Sequence, residues 1–133
     1  MAKNYDPPQI HPPLGRYTHA VEVGPNTRLL TISGQVGIRP DGTLADDIES
    51  QLRQTWANIA AILGAAGMAL SHIVKITTIV VRPEHLAIHP RIRSEVLGDH
   101  LAAATGFCTT ALAKPELLCE IEVTAAAPAS PGS

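Results

Sequence analysis

Residues 73–81 read Ile-Val-Lys-Ile-Thr-Thr-Ile-Val-Val, so every position but Lys75 is β-branched. Side chains branched at Cβ are restricted in a helix and pack well on a pleated surface, which commits this run to a strand that Pro83 ends. The segment before it carries the other period. Ile48, Leu52, Trp56, Ile59 and Leu63 recur at spacings of four, four, three and four, the apolar stripe of one helix, with Glu49, Arg53 and Gln54 off it. Asp46 stands three residues before Glu49 as in a capping box, and Gly64 and Gly67 supply the stop. A one-sided helix leading directly into a strand has to bury its stripe on the sheet which that strand joins. The two are thereby tied into layers.

The remaining elements are read around this pair. Residues 17–23 alternate as a strand, 24–27 (Gly-Pro-Asn-Thr) form a turn, and 28–33 (Arg-Leu-Leu-Thr-Ile-Ser) return as the second arm of a hairpin. Residues 90–100 make a second helix with Ile92, Val96 and Leu97 inward and Pro90 in its first turn. Segments 107–112 and 117–124 are strands, the latter with Glu120 and Glu122 on one face. The order ββαβαββ implies a single α+β domain over residues 15–127, with one mostly antiparallel sheet and both helices on one of its faces. A flexible Pro-rich segment (1–14) and a flexible tail (128–133) are expected on either side.

Composition narrows the function classes. Of the 133 residues 45% are hydrophobic and 17% charged, too apolar for a disordered chain. Ten basic and twelve acidic residues leave a net charge of −2, and Tyr5, Tyr17, Trp56 and Phe107 are the only aromatic rings besides histidine. Neither a nucleic-acid partner nor an anionic membrane is expected of such a surface. The N-terminal residues have no apolar run of the signal-peptide kind. The longest apolar stretch, 59–70, is broken by Gly64 and Gly67 and falls short of the roughly 20 residues of a membrane span. A cytoplasmic protein is expected, with Cys108 and Cys119 as buried reduced thiols outside any CxxC pattern. His85 and His89 have helical spacing, but Pro90 interrupts them and no third ligand follows. They are read as exposed or capping residues, and neither a metal nor another cofactor is expected. The glycine-rich signatures of dinucleotide, P-loop and α/β-hydrolase sites are absent from the sequence.

Two positions stand out before any family is considered. Ser33 ends an apolar strand in Ile-Ser-Gly-Gln, where Gly34 marks either a bulge or a close approach of backbone. Glu120 lies in Leu-Leu-Cys-Glu-Ile-Glu-Val-Thr. Its face of the sheet is either solvated or covered by another chain, and in the second case its carboxylate is placed to exchange a proton with water.

Taken together, these segments resemble the RidA/YjgF (reactive intermediate deaminase) family. Gly15-Arg16-Tyr17-Thr18-His19-Ala20 and Thr31-Ile32-Ser33-Gly34-Gln35-Val36 are similar to its N-terminal hairpin. The helix with Asp47-Ile48-Glu49, Gln51, Gln54 and Asn58-Ile59, then Ala65-Ala66-Gly67 and Ile73-Val74-Lys75, follow in the family's order, as do Gly98-Asp99-His100 and Glu120-Ile121-Glu122. The resemblance implies a homotrimer with three clefts, each lined by two subunits and open to a small molecule. It also implies hydrolysis of an enamine or imine C–N bond. Tyr17 and Glu120 match the family's site tyrosine and glutamate, with Glu120 as the catalytic candidate, and Ser33 and Gly34 match cleft-lining positions. The family arginine that grips the substrate carboxylate has no counterpart: the segment reads Leu101-Ala102-Ala103-Ala104-Thr105-Gly106, with Ala104 in its place. Ala104, Thr105 and Gly106 are then the substrate-binding candidates on that strand, and Arg16, Arg91 and Arg93 are the cations left to reach the cleft. A methyl in place of a guanidinium removes charge-assisted hydrogen bonds of about 1.5–3 kcal/mol each. Standard 2-imino-acid deamination is therefore not the expected activity. A non-standard C–N substrate is, and the alternative is a non-catalytic ligand-binding or sensor module on the same trimeric scaffold.

Overall fold

The computed structural model describes residues 2–129. Six strands and two helices succeed one another as β1 (Ala2–Tyr5), β2 (Ala20–Val23), β3 (Thr27–Gln35), α1 (Ile48–Ala65), β4 (Ile73–Val80), α2 (His89–Leu97), β5 (Ala103–Cys108) and β6 (Cys119–Pro128). Short 3₁₀ segments precede β4 and α2. The ββαβαββ order is present from β2 onward, with β1 added in front. Four strands form a sheet in the order β3-β6-β4-β5, and β1 and β2 form a separate ribbon. β6 runs antiparallel to both of its neighbours, whereas β5 is parallel to β4.

Three expectations need correction here. β2 and β3 are not a hairpin: β2 pairs with β1 in the register Ala2↔Val23 to Tyr5↔Ala20, and β3 pairs with β6 from Thr27↔Pro128. The segment read as a flexible N-terminal stretch therefore contains a paired strand. The turn at Asn26 (φ 58°) does redirect the chain, but β3 gains a longer backbone ladder on the ten-residue β6 than the four residues of β2 offer. The strand expected at 107–112 instead begins at Ala103. Of the tail expected at 128–133, Pro128 closes β6, and the residues after Ala129 lie outside the described residues.

Helix α1 is capped by Asp47, one residue later than the sequence pattern suggested, its carboxylate accepting the Ser50 N–H at 2.7 Å. The expected stripe is the buried one: Leu52, Trp56, Ile59 and Leu63 are each at most 2% exposed and meet Ile76, Val80, Ile121, Val123 and Ile92 in one core. Each such side chain contributes about 1.5–3 kcal/mol by leaving water. α2 ends at Leu97, where Gly98 (φ 60°) takes a conformation that side chains disfavour. Helices and core occupy one side of the sheet. Lys75, Thr77, Ile79, Glu120, Glu122 and Thr124 lie in the alternate register, none of them fully buried.

Candidate functional site

β5 is the end strand of the sheet, so its outer row of N–H and C=O groups lacks a neighbouring ladder. One contact brings the N-terminal loop to it: the Thr18 N–H donates to the Ala102 carbonyl at 3.1 Å, and Thr18 bridges Ala103. The result is an open cleft of about 260 Å³ beneath β5, between this loop and the start of α2. Tyr17, Ala104, Thr105 and Gly106 line it, so four of the seven sequence-derived site residues share one place. The Tyr17 hydroxyl accepts the Leu14 N–H at 3.1 Å, which leaves its own proton for a second partner. The Thr105 hydroxyl is engaged by Lys75 Nζ at 2.8 Å.

Ser33, Gly34 and Glu120 form a second group that does not line the cleft. Between Ile32↔Val123 and Gln35↔Ile121, β3 spends one residue more than β6, a bulge at Ser33–Gly34. Glu120 lies over that bulge. A Cβ added at Gly34 would stand 2.6 Å from the Glu120 carboxyl carbon, so the glycine is needed for close approach. Along the sheet Glu120 pairs with Ile79, and Ile79 with Phe107 of β5. Two strand spacings, about 9–10 Å, thus separate Glu120 from β5 within one chain.

The cleft also holds residues to which the sequence reading assigned no site role. His85 and His89, read as exposed or capping, are both buried, at 9% and 3% exposure. His89 lies on the cleft wall with Thr78. Its Nε2 is 3.1 Å from Trp56 Nε1, and its Nδ1 is 3.1 Å from Thr78 Oγ1. Because an indole N–H can only donate, Nε2 is the acceptor and Nδ1 carries the proton, which it donates to Thr78. Burial, reinforced by the nearby Arg93 cation, pushes the His89 pKa down to about 3, so the ring is neutral. The helical spacing His85-x₃-His89 was the one available signal, and with Pro90 interrupting it the pair read as exposed or capping residues rather than as this hydrogen-bonded wall. Among the described residues there is no group of three His, Cys, Asp or Glu side chains placed to hold a metal ion.

Of the three candidate arginines, Arg16 and Arg93 line the cleft. Arg91 instead pairs with Glu49 at 3.0 Å and Glu95 at 3.4 Å outside it. The thiols divide in a similar way. Cys119 is buried, and desolvation raises its pKa to about 11, whereas Cys108, also expected to be buried, is exposed.

Comparison with known proteins agrees with this architecture. Residues 9–127 match the family model described as Endoribonuclease L-PSP. A RutC family protein of Pyrococcus horikoshii is 33% identical over 115 residues, which span 85% of this chain and 88% of that protein. A 2-iminobutanoate/2-iminopropanoate deaminase of Salmonella typhimurium is 37% identical over 68 residues, about half of each chain (50% and 51%). Among solved structures, a Rid-family protein of unknown function from Yersinia pestis superposes with a TM-score of 0.82 at 35% identity, covering 93% of this chain and 97% of the other. RidA from an Antarctic Psychrobacter gives a TM-score of 0.70 at 32% identity, over 85% and 89% of the two chains. Matched in sequence and fold over nearly all of its described length, this chain belongs to the RidA/YjgF family.

Proposed function

We propose that the protein is a homotrimer that hydrolyses an enamine- or imine-type C–N bond of a small molecule bound between subunits. The substrate is held by groups other than an arginine at position 104. The observation that carries this reading is the division of the candidate residues. Tyr17 and β5 border one cleft, while Glu120 and the Ser33–Gly34 bulge lie on the sheet outside it. A neighbouring copy presenting its Glu120 face to that cleft completes the constellation, and a cyclic arrangement repeats it three times. In the reaction Glu120 takes a proton from water, whose oxygen adds to the C=N carbon. Glu120 passes that proton to the nitrogen and then relays the carbinolamine hydroxyl proton to it as the C–N bond breaks, so that ammonia or an amine leaves and a carbonyl compound remains. Tyr17 offers its free phenolic proton to the substrate, and backbone groups around Thr105 and Gly106 hold a polar atom.

The test is release of carbonyl product from imines generated in place by amino-acid and amine oxidases, with and without the protein. Acceleration of at least one imine, reduced about 100-fold or more by Glu120→Gln, is the expected result. Ala104 favours one competing reading, a binding module without turnover. Ligand binding in the wild type with no acceleration of any imine would establish that reading instead.

A further inference from the structure

Helix α2 carries two arginines two residues apart, a spacing that sets them on different faces. Arg91 belongs to a closed ring of ion pairs on the outer surface, in which Arg91 and Arg53 each bind both Glu49 and Glu95. Arg93 turns the other way, into the cleft, where it is half-buried and pairs with no carboxylate among the described residues. The cleft wall contains no acid either. Arg16 stands on the same wall, but it is already engaged: its Nη2 donates to the Gly98 carbonyl at 2.8 Å, with Asp99 at 3.8 Å. Burial, and after it the nearby Arg16 cation, hold the Arg93 pKa below its ordinary value. A cation drawn partly out of water beside a second cation is costly, and a carboxylate brought against it offsets that cost. Glu120 has the complementary defect. It is half-buried over Gly34 and forms no ion pair among the described residues. Within one chain the two charges cannot meet, because Arg93 lies on the helix side of the sheet and Glu120 in the opposite register, two strands from β5.

We propose that Arg93 is the inter-subunit counter-charge of Glu120: its guanidinium pairs with the carboxylate of Glu120 of the partner subunit, closing the contact between copies and aiming that carboxylate into the cleft. Two opposite charges left unpaired on two different faces of one chain are what a head-to-tail contact consumes, and a ring of three copies satisfies all of them. The planar guanidinium fork fixes the direction of a carboxylate as well as neutralising it. A carboxylate so held keeps a lone pair with which to accept from water. Arg93 is thus a positioning residue for Glu120 rather than a group that touches substrate. This inference rests on the reading that two copies share each cleft, and the pairing itself requires no turnover.

The test is a double-mutant cycle on the full chain, read as the rate at which isotope-labelled and unlabelled oligomers exchange subunits in native mass spectra. Arg93→Gln and Glu120→Gln should each speed exchange about tenfold or more, because losing one partner of a desolvated pair acts on dissociation. The double variant should exchange no faster than either single one. Arg93→Lys should recover part of the loss, and the charge swap, Arg93→Glu together with Glu120→Arg, should return exchange toward the wild-type rate although each of its halves alone speeds it. Multiplicative effects in the double variant, or unchanged exchange in Arg93→Gln, overturn the proposal. For any imine that the wild type turns over, Arg93→Gln should lower kcat about tenfold with KM little changed. A raised KM at unchanged kcat would put Arg93 on the substrate and overturn the positioning role. The exchange assay needs no catalysis, so a protein without turnover still decides the pairing. A monomer in light scattering overturns the shared-cleft reading and the pairing with it, whereas a trimer with uncoupled variants overturns the pairing alone.

Discussion

His89 links the core to the cleft, and its protonation reports on both. Its folded-state pKa of about 3 lies below the ordinary value of 6.5, so from pH 6.5 downward the unfolded chain binds a proton that the native chain refuses. Stability therefore falls as the pH drops through this window, by on the order of 4 kcal/mol in total. Urea unfolding followed by the fluorescence of Trp56, the sole tryptophan, should show midpoints declining from pH 6.5 toward pH 4. His89→Gln, whose amide can accept from Trp56 and donate to Thr78, should flatten that decline; an unchanged slope would assign it to other groups. Gly34 makes a different residue-scale prediction. The clash of a new Cβ is with the mobile end of Glu120, so Gly34→Ala should lower the thermal midpoint by only a few degrees while displacing the carboxylate. Turnover of any imine the wild type accepts should fall at least tenfold, measured in the same product-release assay. The thiol of Cys119, protonated and buried, should react with a disulfide reagent only when the protein unfolds.

At the scale of elements, α1 is more than an apolar stripe. Gln51 is 1% exposed and makes three hydrogen bonds: its Nε2 donates to the carbonyls of Ala45 and Glu116, each at 3.1 Å, and its Oε1 accepts the Leu118 N–H at 2.9 Å. One helix residue thus fastens the loop before α1 and the segment that feeds β6. Gln51→Leu strands two carbonyls and one N–H in the interior and should cost about 3–5 kcal/mol by chemical denaturation. A loss below about 1 kcal/mol would mean that water replaces these bonds. Gly37→Ala should be similarly damaging, because its Cβ would meet the Gln51 Cα at 2.6 Å, where no flexible tip can yield. Asn58 serves the same loop, donating to the carbonyls of Val36 and Ile38 at 3.1 and 2.9 Å. These polar side chains were visible in the helix as members of a family-like pattern. Their partners were not, because they lie 20 or more residues away for Asn58 and up to 67 for Gln51.

For the whole molecule, the decisive quantity is the number of chains per cleft. If Tyr17 and Glu120 act in one cleft from different copies, two separately inactive variants should complement each other. Glu120→Gln and Tyr17→Phe chains refolded together should recover about a quarter of the wild-type clefts, the share in which both intact halves meet. No recovery would place both residues' function within one chain. Light scattering should give three times the 14.0 kDa of a single chain. The α+β layering and the succession of elements were legible because they rest on local causes: β-branching at 73–81, the stripe from Ile48 to Leu63, and glycines at the helix end. Strand partners were not legible. Backbone groups of β2 and β3 are chemically the same wherever they pair, and only the assembled sheet selects β1 for one and β6 for the other. The site divided along the same line. The sequence alone disclosed that position 104 lacks a guanidinium. Only the tertiary structure brings Arg93, Arg16 and a neutral His89 to the wall beside it, because desolvation and the proximity of charges arise when distant segments pack.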